Sequence, residues 1–191
     1  MPFSRVRRPV AFAPAIRPSI RLSVTTVALV VAAGGGRARA QAPVPGSAAG
    51  VRALAGAAAD VERTLRAVFA AAERGDLAAL DTLYAGDSLT VVEGAGINRG
   101  WRDYRDHHLA PELREMRGMR YRPSDVEVHV AGDVAWAVFR YGLQATVGAR
   151  AVDVVGRGTA ILERQGRGGR WVVRHTQTSG RPRRPSDPPL A

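Results

Sequence analysis

Two residues of this chain sit where their surroundings suit them to handling protons. Glu93 ends the apolar run LTVVE, residues 89–93. Val91 and Val92 beside it disfavour the ionised carboxylate and so raise its pKa. It reads as a catalytic base, or as a rim carboxylate paired with Arg99 or Arg102. His175 lies in WVVRHTQTS, residues 171–179. Side chains alternate along a strand, so Trp171, Val173, His175, Gln177 and Ser179 share one face. With the tryptophan turned inward, that face lines a pocket of apolar wall and few polar groups. His175 is then the candidate acid/base near neutral pH, with Gln177 as a ligand contact. Its alternative is a buried histidine satisfied by a carbonyl or by Gln177.

Trp101, Tyr104 and His108 recur at three- and four-residue steps, so one helix face carries all three. They read as ligand contacts at the pocket mouth, or as plain core, and Trp136 joins them as a ligand contact. Asp103, Asp106 and His107 resemble a metal cluster only on paper. Adjacent helical positions diverge by about 100°, and Asp103 starts an i,i+4 solvated face. No metal ligand set is expected. Cysteine is absent, which removes thiolate sites and disulfides. The segment GRGGR, residues 166–170, has the chemistry of a hairpin turn.

These residues need elements to hold them. Leu54, Ala58, Val61, Leu65, Val68, Phe69 and Ala72 give a long amphipathic helix. Gly75 ends it and Asp76 caps a short second helix through Leu77, Leu80 and Leu83. A strand at 89–93 and a turn-rich loop GAGINRG follow. Residues 101–116 read as a third helix that Pro111 breaks or kinks. From Met119 the period is two, giving strands at 121–130, 134–146, 149–163 and 171–179 joined by hairpin-sized turns. The predicted fold is α+β, three N-terminal helices on the concave face of a curved antiparallel sheet. Strand 134–146 is apolar on both parities, Val134, Trp136 and Val138 against Ala135, Ala137, Phe139 and Tyr141. Such a strand is covered on both faces, so a homodimer through the convex face is expected.

All 28 basic residues are arginine, against 17 acids, a formal charge of +11. Seven arginines and no acid precede Gln41, and three more arginines follow Gly180. The domain between is close to neutral, so nucleic acid is not an expected partner. Residues 1–40 combine a basic start, the 12-residue apolar run 22–33 and the tripeptide Ala38-Arg39-Ala40, the pattern of a secretory signal peptide cleaved after Ala40. The run is shorter than the roughly 20 residues that span a bilayer. An exported protein with no stable membrane anchor after cleavage is expected. Residues 41–50 read as a linker, 51–180 as the domain and 181–191 as a disordered tail rich in proline and arginine.

Four stretches carry a family resemblance: RGDLAALDTLYAGDSLTVVEG, INRGWRDYRDHHLAPEL, VHVAGDVAWAVF and GTAILERQGRGGRWVVRHTQTS. In this order, across residues 55–180, they resemble the SnoaL-like branch of the nuclear-transport-factor-2-like superfamily. The resemblance implies a cone-shaped α+β barrel with a pocket between helices and sheet. It also implies relatives among isomerases, cyclases and dehydratases, with a base just after the first strand, where Glu93 falls. The branch's closing strand often reads Trp-x-x-x-His-x-His-x-Ser, and Gln177 stands here at the second histidine. The leading expectation is an exported domain binding a small, partly apolar ligand. The alternative is a cofactor-independent isomerase, cyclase or dehydratase using Glu93 or His175, and a third reading is a dimerisation module with a filled cavity.

Overall fold

The computed structural model describes residues 46–166 and 168–190. The expected signal peptide and its cleavage site lie outside the described residues. Helix α1 spans Ala48–Glu73 and begins inside the stretch read as linker, because the Ser47 hydroxyl accepts the Gly50 N–H at 3.0 Å and caps it. Its stripe Val61, Leu65, Val68, Phe69 and Ala72 is buried. Each large member contributes roughly 1.5–3 kcal/mol of apolar transfer. Gly75, at φ 67°, lets the chain turn back, and Asp76 caps α2 (Leu77–Leu83) through the Ala79 N–H at 2.9 Å. Among the described residues no helix is long and apolar enough to cross a membrane.

The strands are β1 (Thr90–Glu93), β2 (Gly96–Arg99), β3 (Met116–Ala131), β4 (Val134–Val147), β5 (Arg150–Arg164) and β6 (Trp171–Pro182). They form one sheet in the order β2-β1-β6-β5-β4-β3. The fold is α+β as expected, but the sheet is open and mixed. β1 runs parallel to β6 while every other pair is antiparallel. The loop GAGINRG holds a strand of its own, since Gly94 at φ 57° permits a two-residue turn pairing Glu93 with Gly96.

The core lies between α1 and the inner sheet face. Ala135, Ala137 and Phe139 of β4 and Ala160 and Leu162 of β5 are at most 2% exposed. Phe69 packs edge-on against Phe139, with ring centroids 5.4 Å apart. On the opposite face Val134, Trp136, Val138 and Ile161 stay 40–46% exposed, so β4 is covered on one face within a single chain.

The tail read as disordered is anchored to the sheet by specific contacts, although most of its residues are exposed. β6 continues past Gly180, Arg183 donates to the Asp153 carboxylate at 2.7 Å, and Arg181 holds Asp187 through two bonds of 2.7 and 2.8 Å. Leu190 fills the space that Gly142 leaves by having no side chain. Composition did not show that two of its three arginines, Arg181 and Arg183, have acidic partners and that its one leucine has a seat.

Candidate functional site

Glu93 leaves β1 toward the helices, in register with Thr178 of β6 on one side and Gly96 of β2 on the other. Gly100, at φ 85°, then starts α3 (Trp101–Tyr104), a π turn (Arg105–Leu109) and α4 (Ala110–Glu115) as one helical run. In a regular α-helix the nitrogen of residue 111 would donate to residue 107, and Pro111 has no N–H to give. The wider π turn, in which Ala110 N–H reaches the Arg105 carbonyl, absorbs the mismatch without breaking the run. The kink expected at Pro111 is therefore a bulge one turn earlier. It carries His108 against β1 and β2.

His108 is the centre of a chain of polar contacts. Its Nε2 lies 3.1 Å from Glu93 Oε2 and 3.3 Å from Glu112 Oε1. Its Nδ1 lies 2.9 Å from Asn98 Oδ1. The Asn98 amide nitrogen donates to Asp103 Oδ2 at 2.9 Å, and Asp103 also accepts the Arg99 N–H and contacts His107 Nδ1 at 3.1 Å. Tyr104 donates its phenolic proton to Glu93 Oε1 at 3.3 Å.

These partners fix where protons sit. An ionised carboxylate only accepts, so Asp103 turns the Asn98 NH2 toward itself and the Asn98 oxygen toward His108. His108 Nδ1 must then carry a proton and donate it. Its Nε2 is left facing two carboxyl groups, and a bare nitrogen there would meet only acceptors. A further proton must lie on Nε2 or on one of the glutamates. Glu93, His108 and Glu112 therefore share protons as a coupled group.

Burial pushes the Glu93 pKa up, Glu112 pushes it further, and His108 and the Tyr104 hydrogen bond pull it down. Hydrogen bonds from Asn98, His107 and the Arg99 N–H hold Asp103 below the usual carboxylate value. Tyr104, Tyr121 and Tyr141 are all raised, chiefly by burial, and stay neutral donors at physiological pH.

Beside this group is a cavity of about 410 Å³, within the range of small-molecule sites. Glu93, Glu112, Tyr104, Tyr121, Tyr141 and Thr178 bring polar atoms to it, and Leu109, Leu113, Met116, Met119 and Leu143 form an apolar wall.

Residues 61–182 match the family model described as a SnoaL-like domain. The chain belongs to the SnoaL-like domain family. No curated protein matches it. Among solved structures it is similar to a proposed ketosteroid isomerase from Shewanella frigidimarina, at 22% identity and TM-score 0.57, covering 63% of this chain and 94% of that one. It is also similar to a proposed dehydratase of the nuclear-transport-factor-2-like family from Streptomyces avermitilis, at 20% identity and TM-score 0.59, covering 65% and 96%. A superfamily protein from Salmonella enterica serovar Typhimurium aligns at 15% identity and TM-score 0.61, covering 69% and 95%. At these identities the solved structures establish the fold.

Within this SnoaL-like domain the residues named from the sequence divide sharply. Glu93 and Tyr104 line the cavity, and His108 backs it through Glu93 and Glu112. Glu93 pairs with His108, not with the Arg99 or Arg102 of its alternative reading as a rim carboxylate. Trp101 is buried beneath them, stacked on Tyr84 at 4.7 Å with its Nε1 donating to Asp81 at 2.6 Å, and is not a cavity residue. Among the described residues no group of three or more His, Asp or Glu is arranged to hold a metal ion.

Strict alternation along β6 fails at one residue. Leu162 pairs with Val173 but Ile161 pairs with His175, so Arg174 is an extra residue, a β-bulge. Trp171 and Val173 point inward and are buried, but beyond the bulge the alternation reverses. His175 shares the outer face with Ile161 and Trp136, its cross-strand neighbours in register, and Gln177 follows it there. His175, Gln177 and Trp136 are withdrawn from the cavity, and Thr176 and Thr178 take the inner positions. The sequence reading also missed Asn98, Glu112, Tyr121 and Tyr141. A signal for Glu112 existed, since it stands four residues after His108 on the same helical run.

Proposed function

We propose that this domain is a proton-transfer enzyme for a small, largely apolar substrate bearing a carbonyl group, of the isomerase or dehydratase kind. The observation that carries this is the three-way contact of Glu93, His108 and Glu112 at a partly apolar cavity. Glu93, in its ionised form, takes a proton from the carbon next to the carbonyl. A neutral phenol, Tyr121 or Tyr141, hydrogen-bonds the oxygen on which charge develops. The proton returns to a different carbon in an isomerisation, or to a departing hydroxyl that leaves as water in a dehydration. His108, with its Nδ1 held by Asn98, steadies the charge on Glu93 and exchanges protons with it. Solved relatives described as a proposed isomerase and a proposed dehydratase support this choice of chemistry.

Two further parts of the proposal concern where and how the enzyme works. The leader at residues 1–40 supports export with cleavage after Ala40. The exposed row Val134, Trp136, Val138 and Ile161 supports a homodimer through the outer sheet face.

The reaction is tested by incubating the protein with cyclohexanone in D2O and following α-carbon deuteration by NMR. Wild type should accelerate exchange over buffer, and Glu93→Gln should lose about 10²-fold or more, the scale of positioned proton transfer. Equal rates for wild type and Glu93→Gln would defeat the proposal.

A further inference from the structure

The outer face of the sheet holds a second cavity, of about 490 Å³. Four of its residues lie on one rung across four strands. Ser124 of β3 pairs with Arg140 of β4, Arg140 with Arg157 of β5, and Arg157 with Ser179 of β6. Two arginines are thus directly opposite each other on one face, flanked by two hydroxyls. Like charges so placed destabilise a sheet unless something neutralises them.

The neighbouring acids do not do this. Asp187 is taken by Arg181 and Asp153 by Arg183. Among the described residues Arg140 reaches only Asp125, at 3.6 Å, with both side chains more than half exposed. Among the described residues Arg157 has no acidic partner. The rim also shows what the basin accepts, since the Asp187 carboxylate is seated there, 14% exposed, on the fork of Arg181.

We propose that the rung Ser124–Arg140–Arg157–Ser179 is a binding site for a small oxyanion, a carboxylate or a phosphate. The two guanidinium forks present coplanar N–H donors suited to paired oxygens, and the serine hydroxyls add a donor at each end. The tail residues Asp187, Pro188 and Pro189 wall one side of the basin with an acid and two rings, which favours a compact anion over a polyanionic chain. The rung lies on the outer sheet face, although the basin shares Tyr141, Ser179 and Gly180 with the lining of the Glu93 cavity.

The test is thermal unfolding of the purified full chain with added sodium phosphate or sodium succinate, at ionic strength held constant with sodium chloride. One of the two anions should raise Tm saturably in the millimolar range, and which one does so identifies a phosphoryl or a carboxylate ligand. Arg157→Gln and Arg140→Gln should each weaken that response at least 10-fold, while the charge-matched Arg150→Gln keeps it. In chloride alone Arg157→Gln should unfold at a higher temperature than wild type, because the opposed charges are gone. No saturable response in wild type, or equal responses from Arg157→Gln and Arg150→Gln, would overturn the site.

Discussion

Glu93 Oε2 and His108 Nε2 stand 3.1 Å apart, and the protonation of that contact is set from the far side of the imidazole. Asn98, itself oriented by Asp103, accepts from His108 Nδ1 and so leaves Nε2 to the two glutamates. Asn98 is a positioning residue on this account. Asn98→Ala should slow α-deuteration by on the order of 10-fold, a fraction of what positioned proton transfer supplies. It should also displace the pH profile, because the Nδ1 proton loses its acceptor in the group that shares protons with Glu93. A rate loss with an unchanged profile would mark Asn98 as merely structural.

Stability should respond to Glu93 in a defined direction. Its folded-state pKa is raised, so between the unfolded and folded values the native state binds more protons than the unfolded chain. The contribution of Glu93 to stability is full below the unfolded value, about 4.3, and falls as pH rises through the folded value. Glu93→Gln removes this pH dependence. The Tm difference between variant and wild type should therefore grow in the variant's favour as pH rises through that window, as measured by calorimetry. A difference that stays constant with pH would contradict the assignment.

His175 provides the contrast. It lies on the outer face, so His175→Ala should leave α-deuteration within about 2-fold of wild type and cost at most about 1 kcal/mol of stability, as outer-face substitutions usually do. Loss of turnover in this variant would restore the histidine to the cavity and remove the bulge at Arg174 from the account.

Gly158 faces Phe139 across β4 and β5, where an added Cβ would press into the ring. Phe139 is 2% exposed and cannot move away freely. Gly158→Ala should cost about 1–3 kcal/mol by overpacking, measured by urea denaturation.

The proposed dimer rests on Trp136, 45% exposed and stacked on His129 at 5.0 Å, with Val138 beside it on the same strand face. Val138→Asp should shift micromolar protein to monomer in sedimentation velocity and leave far-UV circular dichroism unchanged. A monomeric wild type would rule this interface out.

Periodicity revealed the helix and strand order because each element buries one face, and the inward row Ala135, Ala137 and Phe139 follows from alternation alone. Glu93, Tyr104 and His108 were legible for the same reason, an apolar strand ending in a carboxylate and a helical stripe. Alternation cannot see an inserted residue, so Arg174 reversed the assignment of His175 and Gln177. Asn98 was hidden in a stretch that looked like a loop, although Glu93-Gly94-Ala95-Gly96 carries the glycine that a two-residue hairpin requires. The anchoring of the tail depends on a pairing with Asp153 and on a gap at Gly142, neither of which is local in sequence.

The shared proton is tested most directly by NMR of protein labelled with 13C at glutamate carboxyls and 15N in the histidine rings, followed through a pH titration. The Glu93 carboxyl should titrate above a free glutamate, because burial disfavours its charge, and the proton of a neutral His108 ring should sit on Nδ1, facing Asn98 Oδ1. An ordinary Glu93 titration, together with a neutral His108 carrying its proton on Nε2 and none on Nδ1, would contradict it.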